Sequence, residues 1–253
     1  MNDRLLRLTL GIALCAPIAR VQNAGEPPVV FLDQGWSQED RLAYYYTTQG
    51  SAIMPYDLFL NLEEAGSERL FRSDEVMARY GLLPGAVDPQ HNPDGLPVGM
   101  ARLDVPGGRW QGSWVGPNCA ACHNGELQYQ GRRIRIDGGV NQSLDMRAFI
   151  GGLASALERP LRDPKKFDRL AKRFGYTSDA DRRKLRADVE ATSTETNYYR
   201  TRTGQEPHPF GPGRVDALGN IHNRLSGLAI GAPENWAASL APLKFPFLWH
   251  TPP

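Results

Sequence analysis

The chain has 253 residues, 41% hydrophobic and 23% charged, an ordinary globular composition with room for one large domain or two small ones. A net charge of +1 provides no global field to draw nucleic acid or an anionic membrane, so neither is expected as a partner. With 26 glycines and 20 prolines, loops and turns should separate short elements.

The first segment, MNDRLLR followed by LTLGIALCAPIA, has two arginines and then an apolar run too short to span a bilayer. Residues 1–24 therefore read as a signal peptide, residues 25–253 as the exported domain, and the location as periplasmic or secreted. Cys15 suggests a lipoprotein anchor more weakly, because Leu14 before it is too bulky for a good lipobox. No later stretch is apolar enough to predict an integral membrane span.

Residues 26–36 read as an extended lead-in. SQEDRLAYYYTTQG (37–50) reads as a helix capped by Ser37 and ended by Gly50. MPYDLFLNLEEAG (54–66) predicts a second helix, and SDEVMARYG (73–81) a third, capped by Ser73 and stopped at Gly81. Residues 82–118 are rich in Gly and Pro and read as a long functional loop, with Trp110 and Trp114 as either pocket-lining or plain core residues. ELQYQGRRIRIDGG predicts a hairpin bending at Gly131. Helical patterns follow at 141–160, 163–175 and 178–200, the last so charged that it predicts a solvated outer helix. FGPGRVDALGNIHNRLSG precedes an aromatic tail ending FPFLWHTPP.

The stretch NCAACHNG (118–125) holds two of the three cysteines, three positions apart, with His123 directly after. Zinc would need four ligands, and no second CxxC exists; the five histidines never fall three to five apart. A thioredoxin-like redox site expects CxxC after an apolar parallel strand, whereas LDVPGGRWQGSWVGPN precedes it here. The reading chosen is covalent haem c, with Cys119 and Cys122 as thioether residues and His123 as the proximal iron ligand. The sixth ligand stays open among Met100, Met146, His91, His208, His222, His250 and none. It decides between electron shuttling and oxygen or peroxide binding.

The blocks TTQGSAIMPYDLFLNLE, NPDGLPVG, CAACHNGELQYQG with IRIDGG, GRVDALGN and FPFLW occur in an order that resembles RoxA-type rubber oxygenases, within the wider di-haem cytochrome c peroxidase group. The resemblance spans roughly residues 35–250. It implies a mainly α fold: a cytochrome c-like haem domain with long loops and a small β-hairpin, like the N-terminal part of the di-haem enzymes. It also implies that the first haem handles oxygen, and that Phe245 or Phe247 lines the distal pocket as a catalytic residue.

This chain has a single CxxCH where the family has two, so the expectation is either a C-terminally truncated chain or a natural single-haem protein that dimerises or pairs with another subunit, and an activity needing both haems is in doubt. The expected function is an exported cytochrome with one covalent haem, performing electron transfer or oxygen or peroxide chemistry at iron. The sharper form is oxidative cleavage of an apolar alkene or polyisoprenoid by a dioxygenase- or peroxidase-like oxidoreductase. The rivals are a pure electron-transfer cytochrome and an inactive fragment of a di-haem enzyme. Expected partners are haem itself and a redox protein or missing second-haem domain.

Overall fold

A computed structural model describes residues 28–203 and 210–249. The segment read as a signal peptide, with Cys15, His208 and His250, lies outside the described residues.

The chain opens with β1 (Val29–Phe31) and α1 (Gln38–Tyr46). Ser37 and Asp40 cap α1 reciprocally: the Ser37 hydroxyl accepts from the Asp40 N–H at 3.1 Å, and the Asp40 carboxylate accepts from the Ser37 N–H at 2.9 Å. The helix ends at Tyr46 rather than running to Gly50, because Thr47 is already extended. The expected helix over 54–66 divides. Met54–Pro55 is a short strand, β2, and only Tyr56–Asn61 is helical, as α2. Next come α3 (Asp74–Arg79), β3 (Met100–Val105), β4 (Gly112–Pro117), the single turn α4 (Cys119–Cys122), β5 (Asn124–Tyr129) and β6 (Arg132–Asp137). Three longer helices follow, α5 (Met146–Arg162), α6 (Pro164–Arg173) and α7 (Asp179–Thr203), then β7 (Arg214–Val215), α8 (Ala217–His222) and β8 (Leu243–Lys244).

The mainly α, cytochrome c-like architecture expected from the resemblance is overturned: the described residues form an α/β mix with three small sheets. Their orders are β1-β6-β5, β2-β4-β3 and β7-β8. The expected loop over 82–118 holds the β3–β4 strand pair. Glycine and proline there mark the bend at 106–108, while Arg102 and Asp104 alternate with less exposed neighbours on a regular antiparallel pair, Leu103 opposite Trp114. The predicted hairpin forms as β5–β6. Gln130 and Gly131 take φ of 48° and 71°, the left-handed pair that a two-residue hairpin turn needs. β1 adds to its far edge in parallel register, Val30 opposite Ile134.

The main core fills the space between α2, α3 and the α5–α7 helices. Phe59, Phe71, Met77, Phe149, Leu157 and Leu170 are all buried there. Phe149 lies 5.8 Å from Phe71 and 5.9 Å from Tyr80, ring centre to ring centre. Helix α7 is not purely solvated. Leu185, Val189, Ser193 and Thr196 recur at helical spacing and are buried, giving the helix an inner stripe that packs on α5. Helix α6 is tied to the 63–70 turn through Glu63, whose carboxylate accepts from Lys166 (3.1 Å), Arg169 (2.7 Å) and Arg173 (2.7 Å). Among the described residues, no helix is long and apolar enough to cross a membrane.

Candidate functional site

The CxxCH stretch forms a single helical turn between two sheets: β4 leads into α4, and β5 leaves it. Asn118 starts the turn. Its Oδ1 accepts from the Ala120 N–H at 2.9 Å. Its Nδ2 reaches back to the carbonyls of Tyr45 (3.0 Å) and Thr47 (2.9 Å), where α1 runs out of internal partners. One amide thus caps the end of one helix and the start of the next.

Gly99 packs against the other side of the turn. Its φ is +82°, and a Cβ there would meet the Ala121 nitrogen at 2.0 Å, so only glycine lets the backbone come this close. The Gly99 carbonyl also accepts from the Asn118 N–H at 2.8 Å. Asn141 supports the turn from below. Its Nδ2 donates to the carbonyls of Ala121 and Gly81, each at 3.0 Å, and its own N–H donates to the Cys122 carbonyl at 3.0 Å.

The two thiols are free and differently placed. Cys119 is exposed, and Gln49 holds it from both ends: Nε2 donates to Sγ at 3.1 Å, and Oε1 accepts from the Cys119 N–H at 3.1 Å. Cys122 is half-buried against the core. Burial, and then the nearby Cys119, pushes its thiol up to about 12. Tyr44 is raised above its ordinary value by burial first and by Cys119 second, and it stays a phenol. Its hydroxyl donates to the His123 carbonyl at 2.8 Å.

The tail closes over His123. Nδ1 of the imidazole lies 2.6 Å from the Pro246 carbonyl. A carbonyl only accepts, so Nδ1 carries a proton, and in the neutral imidazole the lone pair then lies on Nε2. Phe245 is buried, edge-on to the imidazole at 6.4 Å. Phe247 is exposed and stacks on Trp249 at 5.7 Å. Trp249 donates to the Asp137 carbonyl at 3.0 Å, and the Leu248 N–H donates to Gly138 at 2.8 Å, which clamps the tail to the end of β6.

The structure therefore brings Cys119, Cys122, His123 and Phe245 together, with Phe247 on the adjoining surface. The other ligand candidates are spread out. Met100 is buried in the main core at the start of β3, and Met146 packs on the core at the start of α5. His91 is engaged by Glu39 at 3.1 Å and Asp88 at 3.0 Å. His222 ends α8 beside Ser226. Trp110 and Trp114 pack on each other at 5.4 Å near the β3–β4 bend. Among the described residues, no three His, Cys, Asp or Glu side chains are grouped so as to hold a metal ion by themselves. Sequence reasoning missed Asn118, Gln49, Gly99, Tyr44, Asn141 and Pro246. Only Asn118, a capping residue type directly before the motif, had a local signal.

The site is a CxxCH turn on a small α/β scaffold. No protein-family profile matches the chain, and no solved structure matches it. Over 249 aligned residues it is 30% identical to the uncharacterized protein y4iJ of Sinorhizobium fredii (strain NBRC 101917 / NGR234). That match covers 88% of this chain and 40% of the relative, so the chain spans about two fifths of the relative's length.

Proposed function

We propose that this chain is an exported c-type haem protein. In this reading Cys119 and Cys122 hold the porphyrin as thioethers, and Nε2 of His123 ligates the iron. Support rests on one arrangement: the imidazole's Nδ1–H is anchored on the Pro246 carbonyl beside two free thiols on the same helical turn. A backbone carbonyl on the second ring nitrogen is the usual means of orienting a metal-bound histidine and raising its basicity. The residues present fit the group. A haem bound there supplies a one-electron couple at iron and, with an open sixth position, a place for dioxygen or peroxide.

The chain's own residues then have defined tasks. Gln49 presents the exposed Cys119 thiol. Asn118, Gly99 and Asn141 fix the turn from three sides. Tyr44 and Pro246 hold His123 through its carbonyl and its ring. Phe245 fills the space beside the imidazole, and Trp36, Phe247 and Trp249 leave apolar surface around the motif, suited to an apolar substrate such as an alkene or polyisoprenoid. A redox protein or a second haem-bearing unit is the proposed protein partner.

The test is export alongside the haem c maturation machinery, followed by a haem stain on a denaturing gel and spectra with carbon monoxide. Haem that stays with the denatured chain, and is lost in the Cys119→Ala/Cys122→Ala variant, supports the reading. A wild-type chain without covalent haem overturns it. Ready carbon monoxide binding by high-spin iron points to oxygen or peroxide chemistry. A low-spin iron that resists it points to electron transfer.

A further inference from the structure

Asn124 follows His123 and is completely buried, yet neither its Nδ2 nor its Oδ1 has a hydrogen-bond partner in the fold. Ser73 and Trp236 each leave one buried polar atom unpaired, whereas Asn124 leaves both ends of an amide, among the described residues. Buried polar groups are satisfied in nearly every native protein, by protein atoms or by ordered water. An amide with both ends unused marks a missing polar neighbour.

The strand register shows where that neighbour belongs. Asn124 stands directly opposite Asp137 on the β5–β6 hairpin, so the two side chains share one face. The Asp137 N–H donates to Gln34, and its carbonyl accepts from Gln34 and Trp249. Its backbone polar groups are thus turned away from Asn124, and the pair is of the non-hydrogen-bonded class, with Cα atoms about 4.5 Å apart. The Asp137 carboxylate is itself fully buried, with one oxygen accepting from Arg41 at 2.6 Å and the other from the Tyr45 hydroxyl. Each carboxylate oxygen accepts two hydrogen bonds, so acceptor capacity remains on the face Asn124 shares.

We propose that one ordered water molecule occupies the space between Asn124 and Asp137, accepting from Asn124 Nδ2 and donating to the Asp137 carboxylate. The site is polar, closed to solvent and lined by the two or more partners an internal water needs. Polar groups held apart beyond direct hydrogen-bond reach are commonly joined in this way. The water links the residue after His123 to Asp137, on which α1, the lead-in and the tail already converge. It therefore belongs to the framework behind the CxxCH turn, and it stands or falls independently of what the cysteines bind.

The test is a high-resolution crystal structure of the wild-type protein, paired with oxygen-17 relaxation dispersion on wild type and Asn124→Leu. Expected are a density peak within about 3.2 Å of both the Asn124 amide and the Asp137 carboxylate, and the loss of one long-lived water in Asn124→Leu. An empty gap, or a protein group filling it, overturns the proposal, and this wild-type result decides even if Asn124→Leu does not fold. A peak at the site with an unchanged count of long-lived waters in a folded Asn124→Leu also overturns it, because Asn124 would not be what holds the water.

Discussion

His123 donates its Nδ1–H to the Pro246 carbonyl at 2.6 Å, across 123 positions of sequence. The tail thereby determines the tautomer of a residue it never neighbours in the chain. Phe245 anchors that tail through its buried ring, whereas Phe247 lies on the surface. Phe245→Ala should lower the unfolding free energy by about 3–5 kcal/mol through lost burial and a residual cavity. Phe247→Ala should change it by no more than about 0.5 kcal/mol. Urea denaturation of the two variants checks this, and equal losses would mean that Phe245 is not the anchor.

Gly99→Ala should be among the most damaging single-methyl changes in the chain. The left-handed φ disfavours any side chain, and the added carbon would stand 2.0 Å from the Ala121 backbone nitrogen. A loss of about 3 kcal/mol or more is expected. Gly107→Ala is the control: its added carbon meets nothing within 4 Å and its φ is not in the left-handed region, so a change under about 0.5 kcal/mol is expected. Thermal melts of both variants separate the effect of backbone contact from that of glycine content.

Before anything is attached to them, the two thiols should differ in reactivity. Thiolate is the reacting form, and burial holds Cys122 up to about 12 while Cys119 is exposed. Iodoacetamide at pH 8 should therefore label Cys119 first, read by peptide mass spectrometry. Cys122 should be labelled only after urea opens the fold. Simultaneous labelling of both in native protein would refute the asymmetry.

Glu63 gives the stability an acid dependence. Burial works against its charge, but hydrogen bonds from Arg169, Arg173 and Lys166 outweigh that and lower it from 4.5 to about 2. A carboxylate lowered in the folded state stabilises fully above its unfolded value, and the contribution fades as pH falls through the folded value. The urea midpoint should therefore hold between pH 7 and 5 and drop between 4.5 and 2. Glu63→Gln should flatten that limb and cost about 3 kcal/mol at neutral pH, because three cations lose their counter-charge. An unchanged acid limb in Glu63→Gln would assign the effect to other carboxylates.

Local signals in the sequence match the structure at three positions, whereas Ser73 begins α3 without a capping hydrogen bond and Gly50 lies beyond the end of α1. Ser37 capped α1, Gly131 turned the hairpin, and Pro164 opened α6 as its first residue. The β3–β4 pair was missed because its glycines and prolines sit at the bend and strand ends, where they resemble a continuous loop. The inner stripe of α7 was missed because Ser193 and Thr196 occupy buried positions that an apolar pattern does not reveal.

The sequence by itself determined the chemistry available at the motif: two thiols at helical spacing and an imidazole directly after them, because that proximity is covalent and local. Only the tertiary structure decided how these groups are held. Gly99, Asn141, Tyr44 and Pro246 reach the turn from separate parts of the chain, and they meet there because the sheets and helices must bury their apolar faces together. Such contacts depend on three-dimensional packing rather than on spacing, so no local pattern encodes them.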